Sequence, residues 1–297
     1  MATAFCPAHI TGFFKAELNK EDSKQLGSLG AGFSIQKGVK TTVTIRNKTK
    51  HDISNFTIKV NGFESGDMRV SEVVLSKFPT KEKFVDVVHQ IDVPVGYGFG
   101  SSAAVALSLA IALNDALECK LSKIKVAQIA HDVEIECKTG LGDVLASYHG
   151  GFEIRDKPGA PGIGHVQKIT LKKISIIMIC FSPISTSKFI KERLPQINGL
   201  GGKMVNKLLE SKNYEHFQEM SLEFAKYVDV MTPRMQKVVN ELSKNNIKCG
   251  IALFGETIFS MIPKENENKV LEILEKYSDG IIIKSELDDV GARVLHN

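Results

Sequence analysis

Two regimes of hydrophobic and polar spacing divide the chain near Pro94. Before it, apolar residues come in short β-type runs: TTVTIRN and NFTIKV, between Val39 and Val60, alternate β-branched and polar residues about a polar turn and predict a hairpin. VDVVHQIDV, Val85 to Val93, continues that composition, and the opening FCPAHITGFF, Phe5 to Phe14, predicts a short strand running into a turn shaped by Pro7 and Gly12. From Pro94 to Ala116 the sequence reads PVGYGFGSSAAVALSLAIALNDA, with Gly96, Gly98 and Gly100 at alternate positions, two serines, and good helix formers from Ala103. That predicts a flexible loop opening onto a helix N-terminus. A second helix is predicted over Leu121 to Cys137, with Ser122 as N-cap and Ile124, Ala127, Ile129, Ala130 and Val133 on its buried face.

KPGAPGIG, Lys157 to Gly164, is expected to be a linker or mobile loop, since prolines and glycines exclude a regular element. Beyond it, Ile174 to Phe181 predicts a buried strand, and helical patterns fill about Lys203 to Lys244, restarting at Thr232-Pro233. Strands at Gly250 to Phe254 and Thr257 to Ile262, a helix from Lys264 to Tyr277 closed by Gly280, and a strand at Ile281 to Leu287 complete the order. The sum is β-α-β-β-α-β with an enlarged first crossover, a ferredoxin-like arrangement.

Composition narrows the classes. A chain of 297 residues, 43% hydrophobic, suits two modest domains or one large one. Its net charge of +4 comes from lysines dispersed among acids, with no long basic block and no tryptophan, so no nucleic-acid partner is indicated. An anionic small molecule fits that balance. The five cysteines are Cys6, Cys119, Cys137, Cys180 and Cys249; they are far apart and form no CxxC pair, which argues against a disulfide framework and a structural zinc. No signal segment or membrane-spanning run is present, so a cytoplasmic protein with no membrane partner is expected.

The glycine loop is the strongest chemical signal. A loop feeding a helix N-terminus presents unpaired N–H groups and a positive dipole end, which favour a phosphate; the plainer reading is a turn with Ser101 or Ser102 as N-cap. Phosphoryl transfer also needs hard oxygen ligands for a divalent metal and a group that orients or deprotonates the acceptor. A loop serine with Glu134 supplies the first, Glu134 sharing a helix face with His131, while Asp132 and Glu136 stand as alternatives. Asp143, delivered from the turn in TGLGDVLASYHGG, supplies the second. His9 reads as a packed turn histidine. GSLGAGF, around Ser28, is not the GxGxxG fingerprint. HRD-type, DFG-type and GxxxxGK[ST] motifs are all missing. GFGSSAA is not the GxSxG elbow, although Ser101 or Ser102 with His131 and an acid remains open as a nucleophilic arrangement.

PVGYGFGSSAA resembles the PxGxGLGSSAA motif of the GHMP kinases, FCPAHITGFF resembles that superfamily's first motif, and TGLGDVLASYHGG resembles the segment with its acceptor-side acid. The resemblance implies an α+β, two-domain GHMP kinase fold. Its N-terminal ATP-binding domain, like ribosomal protein S5 domain 2, is expected over 1–165 and its ferredoxin-like C-terminal domain over 166–297. PAHITGFF, GSLGAGFSI, AHDVE, TGLGDV and IALFGETIFSMI together most resemble the archaeal pantoate kinases. That implies ATP- and Mg²⁺-dependent phosphorylation of the 4-hydroxyl of (R)-pantoate to 4-phosphopantoate, on the archaeal route to coenzyme A, by a homodimer.

Carried over by position, the resemblance implies ATP binding by Pro94, Gly96, Gly98, Gly100, Ser101, Ser102 and Ala103, and metal binding by Ser102 and Glu134. It implies Asp143 as the acid near the acceptor, catalytic with Glu134 and Ser102, and places Ser28, His131, Arg155 and Thr186 around the substrate. Arginine pairs well with a carboxylate, and hydroxyls and imidazole read the remaining polar groups. The plainer readings are a surface ion pair for Arg155, turn caps for Ser28 and Thr186, and helix packing for His131. The sequence departs from the superfamily near its C-terminus, where the glycine-rich third motif is reduced to Gly250 and Gly255. The alternatives are another hydroxy acid or sugar acceptor (mevalonate-like, homoserine or shikimate), or a non-catalytic nucleotide or metabolite sensor.

Overall fold

The computed structural model describes residues 1–63 and 68–296. Its first strand, β1 (Ala2–Glu17), is much longer than the expected strand and turn. Register shifts between Pro7 and Ala8 and between Thr11 and Phe13 absorb the proline and Gly12 without ending the antiparallel ladder to β2 (Gly27–Asn47). β3 (Phe56–Gly62), α1 (Arg69–Ser76) and β4 (Lys83–Ile91) form a crossover whose two strands run parallel. β4 lies between β2 and β3, so the predicted hairpin of TTVTIRN with NFTIKV does not form. Burial supplies the reason: β4 hides Phe84, Val85, Val87, His89 and Ile91 and takes the interior position, while β3 alternates half-buried with exposed residues and takes the edge.

The glycine loop leads from β4 into α2 (Ser101–Ala116), which is buried on almost every side. α3 (Lys123–Cys137) starts as expected, with Ser122 Oγ accepting from Lys125 N, but Ile124 points outward and is 45% exposed. Its buried face carries Val126, Ala127, Ala130 and Val133 with His131 and Glu134. α4 (Asp143–His149) is followed by β5 (Phe152–Lys157), which pairs with Gly30–Phe33 of β2, and by β6 (His165–Ile169) antiparallel to it. KPGAPGIG is therefore a packed connection inside one sheet and not a linker: Ala160 N donates to the Lys24 carbonyl and Gln128 Nε2 to that of Pro161. A division at 165/166 falls inside β6.

The second half runs β7 (Ile174–Pro183), α5 (Thr186–Ser211), α6 (Tyr214–Tyr227), α7 (Pro233–Lys244), β8 (Gly250–Ala252), β9 (Gly255–Pro263), α8 (Glu267–Leu274) and β10 (Ile281–Glu286). Its four-stranded antiparallel sheet has the order β10-β7-β9-β8, the ferredoxin-like arrangement with three helices in the first crossover. α5 begins at Thr186, well before the expected Lys203, and continues through Pro195 and several glycines. Gly201 sits where the helix crosses β1, and a Cβ there would collide with the Phe14 carbonyl. β11 (Arg293–Leu295) returns to pair with β1, giving the first sheet seven strands.

Between the sheets, Phe217 of α6 packs on Phe152 at 5.1 Å and Phe13 at 5.8 Å on one side and on Phe259 at 5.7 Å on the other, so one core joins both halves. α7 and α8 cover the opposite face of the second sheet with a separate apolar cluster. Among the described residues no helix is long and apolar enough to cross a membrane.

Candidate functional site

The segment between β4 and α2 is built on left-handed backbone, with φ of 84° at Gly96, 85° at Gly98 and 56° at Gly100. Gly100 occupies the N-cap position of α2 and no side chain caps the helix, so neither Ser101 nor Ser102 serves as the N-cap. The amides of the first helical turn therefore present N–H groups and the dipole's positive end to whatever lies before them. β1 holds the loop through His9 N donating to the Phe99 carbonyl at 3.0 Å. The C-terminal sheet holds it too: Thr257 Oγ1 donates to the Tyr97 carbonyl at 2.8 Å, and a Cβ on Gly98 would run into that of Leu253. Of the two glycines left of the third motif near the C-terminus, Gly255 lies against the loop, where a Cβ would meet the Tyr97 carbonyl, whereas Gly250 lies against the Phe259 ring. Beside it, Val60, Met68, Val70, Ser71, Ser101 and Ser102 border a cavity of about 170 Å³.

Ser102 points to α3. Its Oγ donates to Glu134 Oε2 at 3.3 Å, and Thr139 Oγ1 donates to Glu134 Oε1 at 2.5 Å. Burial, reinforced by the nearby Asp143 charge, pushes the Glu134 carboxyl up to about 7 despite these two hydrogen bonds. Asp132 and Glu136 are directed elsewhere, to Lys24 at 3.1 Å and Lys77 at 2.8 Å. Ser102 and Glu134 together offer hard oxygen donors from a hydroxyl and a buried carboxyl, a set that fits Mg²⁺, which takes one or two protein ligands and completes its shell with phosphate and water.

Asp143 opens α4 after Gly142. Its Oδ1 accepts from His9 Nδ1 at 2.8 Å, with Thr11 Oγ1 at 3.5 Å. His9 Nε2 reaches Glu153 Oε1 at 2.9 Å, and Arg155 Nη1 donates to the same oxygen at 2.6 Å. Carboxylates accept only, so both imidazole nitrogens carry protons and His9 is an imidazolium. Arg155 Nη1 and His9 Nε2 lie 3.3 Å apart because they share that acceptor. Burial favours neutral His9, but its bonds to Asp143 and Glu153 outweigh burial and raise it. Burial likewise favours neutral Asp143, yet the His9 hydrogen bond and the His9 and Arg155 charges hold it below the usual carboxylate range. Two cations and two anions alternate along this chain.

The β2 glycines, read in the sequence as a cluster without a dinucleotide pattern, make room for it. A Cβ on Gly32 would stand 2.5 Å from His9 Nε2, and one on Gly30 2.6 Å from Arg155 Nη2. In this packing Glu153 Oε2 and Arg155 Nε are buried without hydrogen-bond partners.

A narrow pocket adjoins Asp143. Thr11, Ser28 and Thr186 give it polar edges, and Phe14, Ile190 and Phe254 an apolar wall. Gly142 lies over both Ser28 Oγ and Arg155 Nε, the latter 3.0 Å from where its Cβ would stand. The fold therefore brings Ser28, Asp143 and Thr186 together on the pocket, with Arg155 buried behind Gly142 and not part of the lining. His131 is apart: buried between α3 and Ser23, whose carbonyl accepts from its Nε2 at 3.2 Å, it is held neutral chiefly by burial and does not line the pocket.

Sequence reasoning missed His9, Thr11, Thr139 and Glu153, and treated Arg155 as a surface ion pair in its plain reading, whereas it is 1% exposed. His9 is no turn histidine; it sits mid-strand. One signal was available for the pair on β5: in FEIRDK the two charges are two residues apart, hence on one face of the strand.

The GHMP kinases N terminal domain model matches residues 68–151. The chain is 33% identical over 277 residues to the pantoate kinase of Methanocaldococcus jannaschii, covering 91% of this chain and 96% of that protein. It is 30% identical over 275 residues to the pantoate kinase of Thermococcus kodakarensis, covering 91% of each. A solved structure described as a phosphotransferase related to the CoA biosynthesis pathway superposes with a TM-score of 0.88 and 28% identity, over 98% of this chain and 97% of that one.

Proposed function

The chain belongs to the pantoate kinases of the GHMP kinase family, and we propose that its Asp143 pocket is where ATP phosphorylates the 4-hydroxyl of (R)-pantoate to 4-phosphopantoate. One observation carries the site assignment: an ionised Asp143 stands beside a pocket bordered by Ser28 and Thr186, and a Cβ on Gly100, at the open N-terminus of α2, would stand 3.3 Å from the Asp143 carboxyl carbon.

The loop from Pro94 through Ala103 receives the phosphates of ATP on its backbone amides, the α2 dipole favouring their charge. The cavity lined by Val60, Val70 and Ser71 lies beside the loop, placed for the nucleoside end. Ser102 and Glu134 would hold Mg²⁺, which when bound offsets the charge on the transferring and leaving phosphates. Asp143 accepts the hydrogen bond of the 4-hydroxyl and aims its oxygen lone pair at the γ-phosphorus. As the new O–P bond forms and the bond to ADP breaks, the hydroxyl proton passes to Asp143. A loose transition state asks little basicity of it, so its low proton affinity is no obstacle. His9 keeps it ionised and fixes its orientation. Arg155 Nε and Ser28 Oγ, adjoining under Gly142, provide donors for the pantoate carboxylate. A reducing cytoplasm suits the chain, whose cysteines form no disulfide among the described residues.

An ADP-release assay with Mg-ATP and pantoate, mevalonate, homoserine, shikimate and galactose tests the reading; turnover of mevalonate or homoserine with none of pantoate would overturn it. Arg155→Lys keeps a cation beside Glu153 but has no Nε–H, and is expected to raise the pantoate KM about tenfold with kcat nearly unchanged. An unchanged KM would remove Arg155 from the carboxylate site.

The metal site makes a pH prediction. Glu134 has a carboxyl raised from 4.5 to about 7, so the folded chain binds this proton more tightly than the unfolded one, and the stability contributed falls as pH rises through that window. A cation at Glu134 offsets the loss. The gain in Tm from Mg-ADP over ADP with chelator is thus expected to be larger at about pH 8 than at about pH 5.5. Equal gains would count against Glu134 as a ligand.

A further inference from the structure

Leu253 and Phe254 join β8 to β9, and Phe254 has a left-handed backbone with φ of 69°. A bulky side chain avoids this region, because its Cβ crowds the neighbouring carbonyl, and it persists only where the surroundings hold it. Here they do. Leu253 N donates to the Thr11 carbonyl at 3.1 Å, a Cβ on Gly98 would meet the Leu253 carbonyl, and a Cβ on Gly255 would meet Tyr97. The turn is wedged between the β1 strand that lines the acceptor pocket and the loop assigned to phosphate. The Phe254 ring packs on Phe14, centroids 5.6 Å apart, and edge-on to Phe189 at 5.2 Å. Half-buried, it also lines the pocket of Ser28, Asp143 and Thr186.

That pocket is two-sided, with hydroxyls and a carboxylate on one part and Phe14, Ile190 and Phe254 on another. Pantoate is two-sided in the same sense: a carboxylate and two hydroxyls flank a quaternary carbon bearing two methyl groups, next to the carbon that carries the reacting hydroxyl. Resting on the pantoate reading of this site, we propose that Phe254 is a specificity-determining residue whose ring packs against those two methyl groups. The left-handed turn presents the ring to the substrate, and its wedging against Gly98 and Tyr97 fixes the ring's position relative to the phosphate loop. A linear hydroxy acid of the same length leaves that wall unfilled.

The test compares (R)-pantoate with 2,4-dihydroxybutyrate, the same acid without its methyl groups, in the wild type, Phe254→Gly and Phe254→Leu. Glycine adopts this φ without strain, so the first variant removes the ring without adding backbone strain. The wild type is expected to prefer pantoate in kcat/KM. Phe254→Gly lowers the pantoate-to-dihydroxybutyrate ratio at least about tenfold, mainly through the pantoate KM, and Phe254→Leu lowers it about threefold, so either variant reads the effect. A ratio unchanged in both variants, with the two acids slowed equally, overturns the proposal and leaves Phe254 a structural wedge. A wild type that uses both acids equally also overturns it, while sparing the kinase reading. A wild type without pantoate turnover overturns that reading and this inference together.

Discussion

Asp143→Asn is expected to lower kcat for pantoate by about 10²–10⁴-fold while leaving the KM values for pantoate and ATP within a few-fold of wild type. The substitution is nearly isosteric, and its carbonyl oxygen still accepts from His9 Nδ1, which stands 2.8 Å from the carboxylate in the native site. What disappears is the anion proposed to orient the hydroxyl and take its proton. Ser28 and Arg155, the donors proposed for the pantoate carboxylate, are left in place by the change. Steady-state ADP release under saturating Mg-ATP checks the size of the fall, and thermal unfolding checks that the fold survives. Turnover within about tenfold of wild type would take Asp143 out of the chemistry.

The second large effect is on stability. Glu153 is fully buried and accepts from both His9, at 2.9 Å, and Arg155, at 2.6 Å. Glu153→Ala would leave a buried guanidinium and a buried imidazolium with only Asp143 to balance them. Breaking a buried pair by removing one partner destabilises by roughly 3–5 kcal/mol, because the remaining charge is desolvated without compensation. Glu153→Gln, which keeps the volume and an acceptor oxygen, should lose less. Urea denaturation of the three proteins measures the order; an alanine variant within about 1 kcal/mol of wild type would show that His9 and Arg155 are balanced by other groups.

Local signals carried much of this architecture in the sequence. The cap at Ser122, the β-α-β-β-α-β order, the glycine loop running into α2 and an acid at the start of α4 each rest on a few neighbouring residues, and each stands in the structure. What local pattern could not give was pairing between distant segments. NFTIKV and VDVVHQI have similar composition, and only competition for the more buried position puts β4 beside β2. Glycine and proline misled for a related reason. In β2 and α5 they look like breakers, but Gly30, Gly32 and Gly201 are glycines because Arg155, His9 and β1 approach too closely for a side chain. The His9–Asp143 contact spans 134 residues, and Asp143 alone among the charge chain's members stood out beforehand, through its turn and motif. Arg155 was reached only through resemblance; its spacing from Glu153 in FEIRDK puts the two on one strand face, but nothing local shows that this face is buried.

β11 carries a consequence for how this chain folds. The first sheet contains the acceptor-side strand β1, yet its edge is closed by Arg293–Leu295, with Thr3 opposite Leu295. During synthesis the phosphate loop and Asp143 emerge well before the turn of Leu253 and before that edge strand. The native sheet therefore waits for Arg293–Leu295. With so many contacts between segments far apart in sequence, loop-closure entropy is met before the contacts that offset it form, and refolding should be slow compared with helical proteins of similar stability. Until then β1 has a bare edge, and the nascent chain is most exposed to pairing with another copy during that interval.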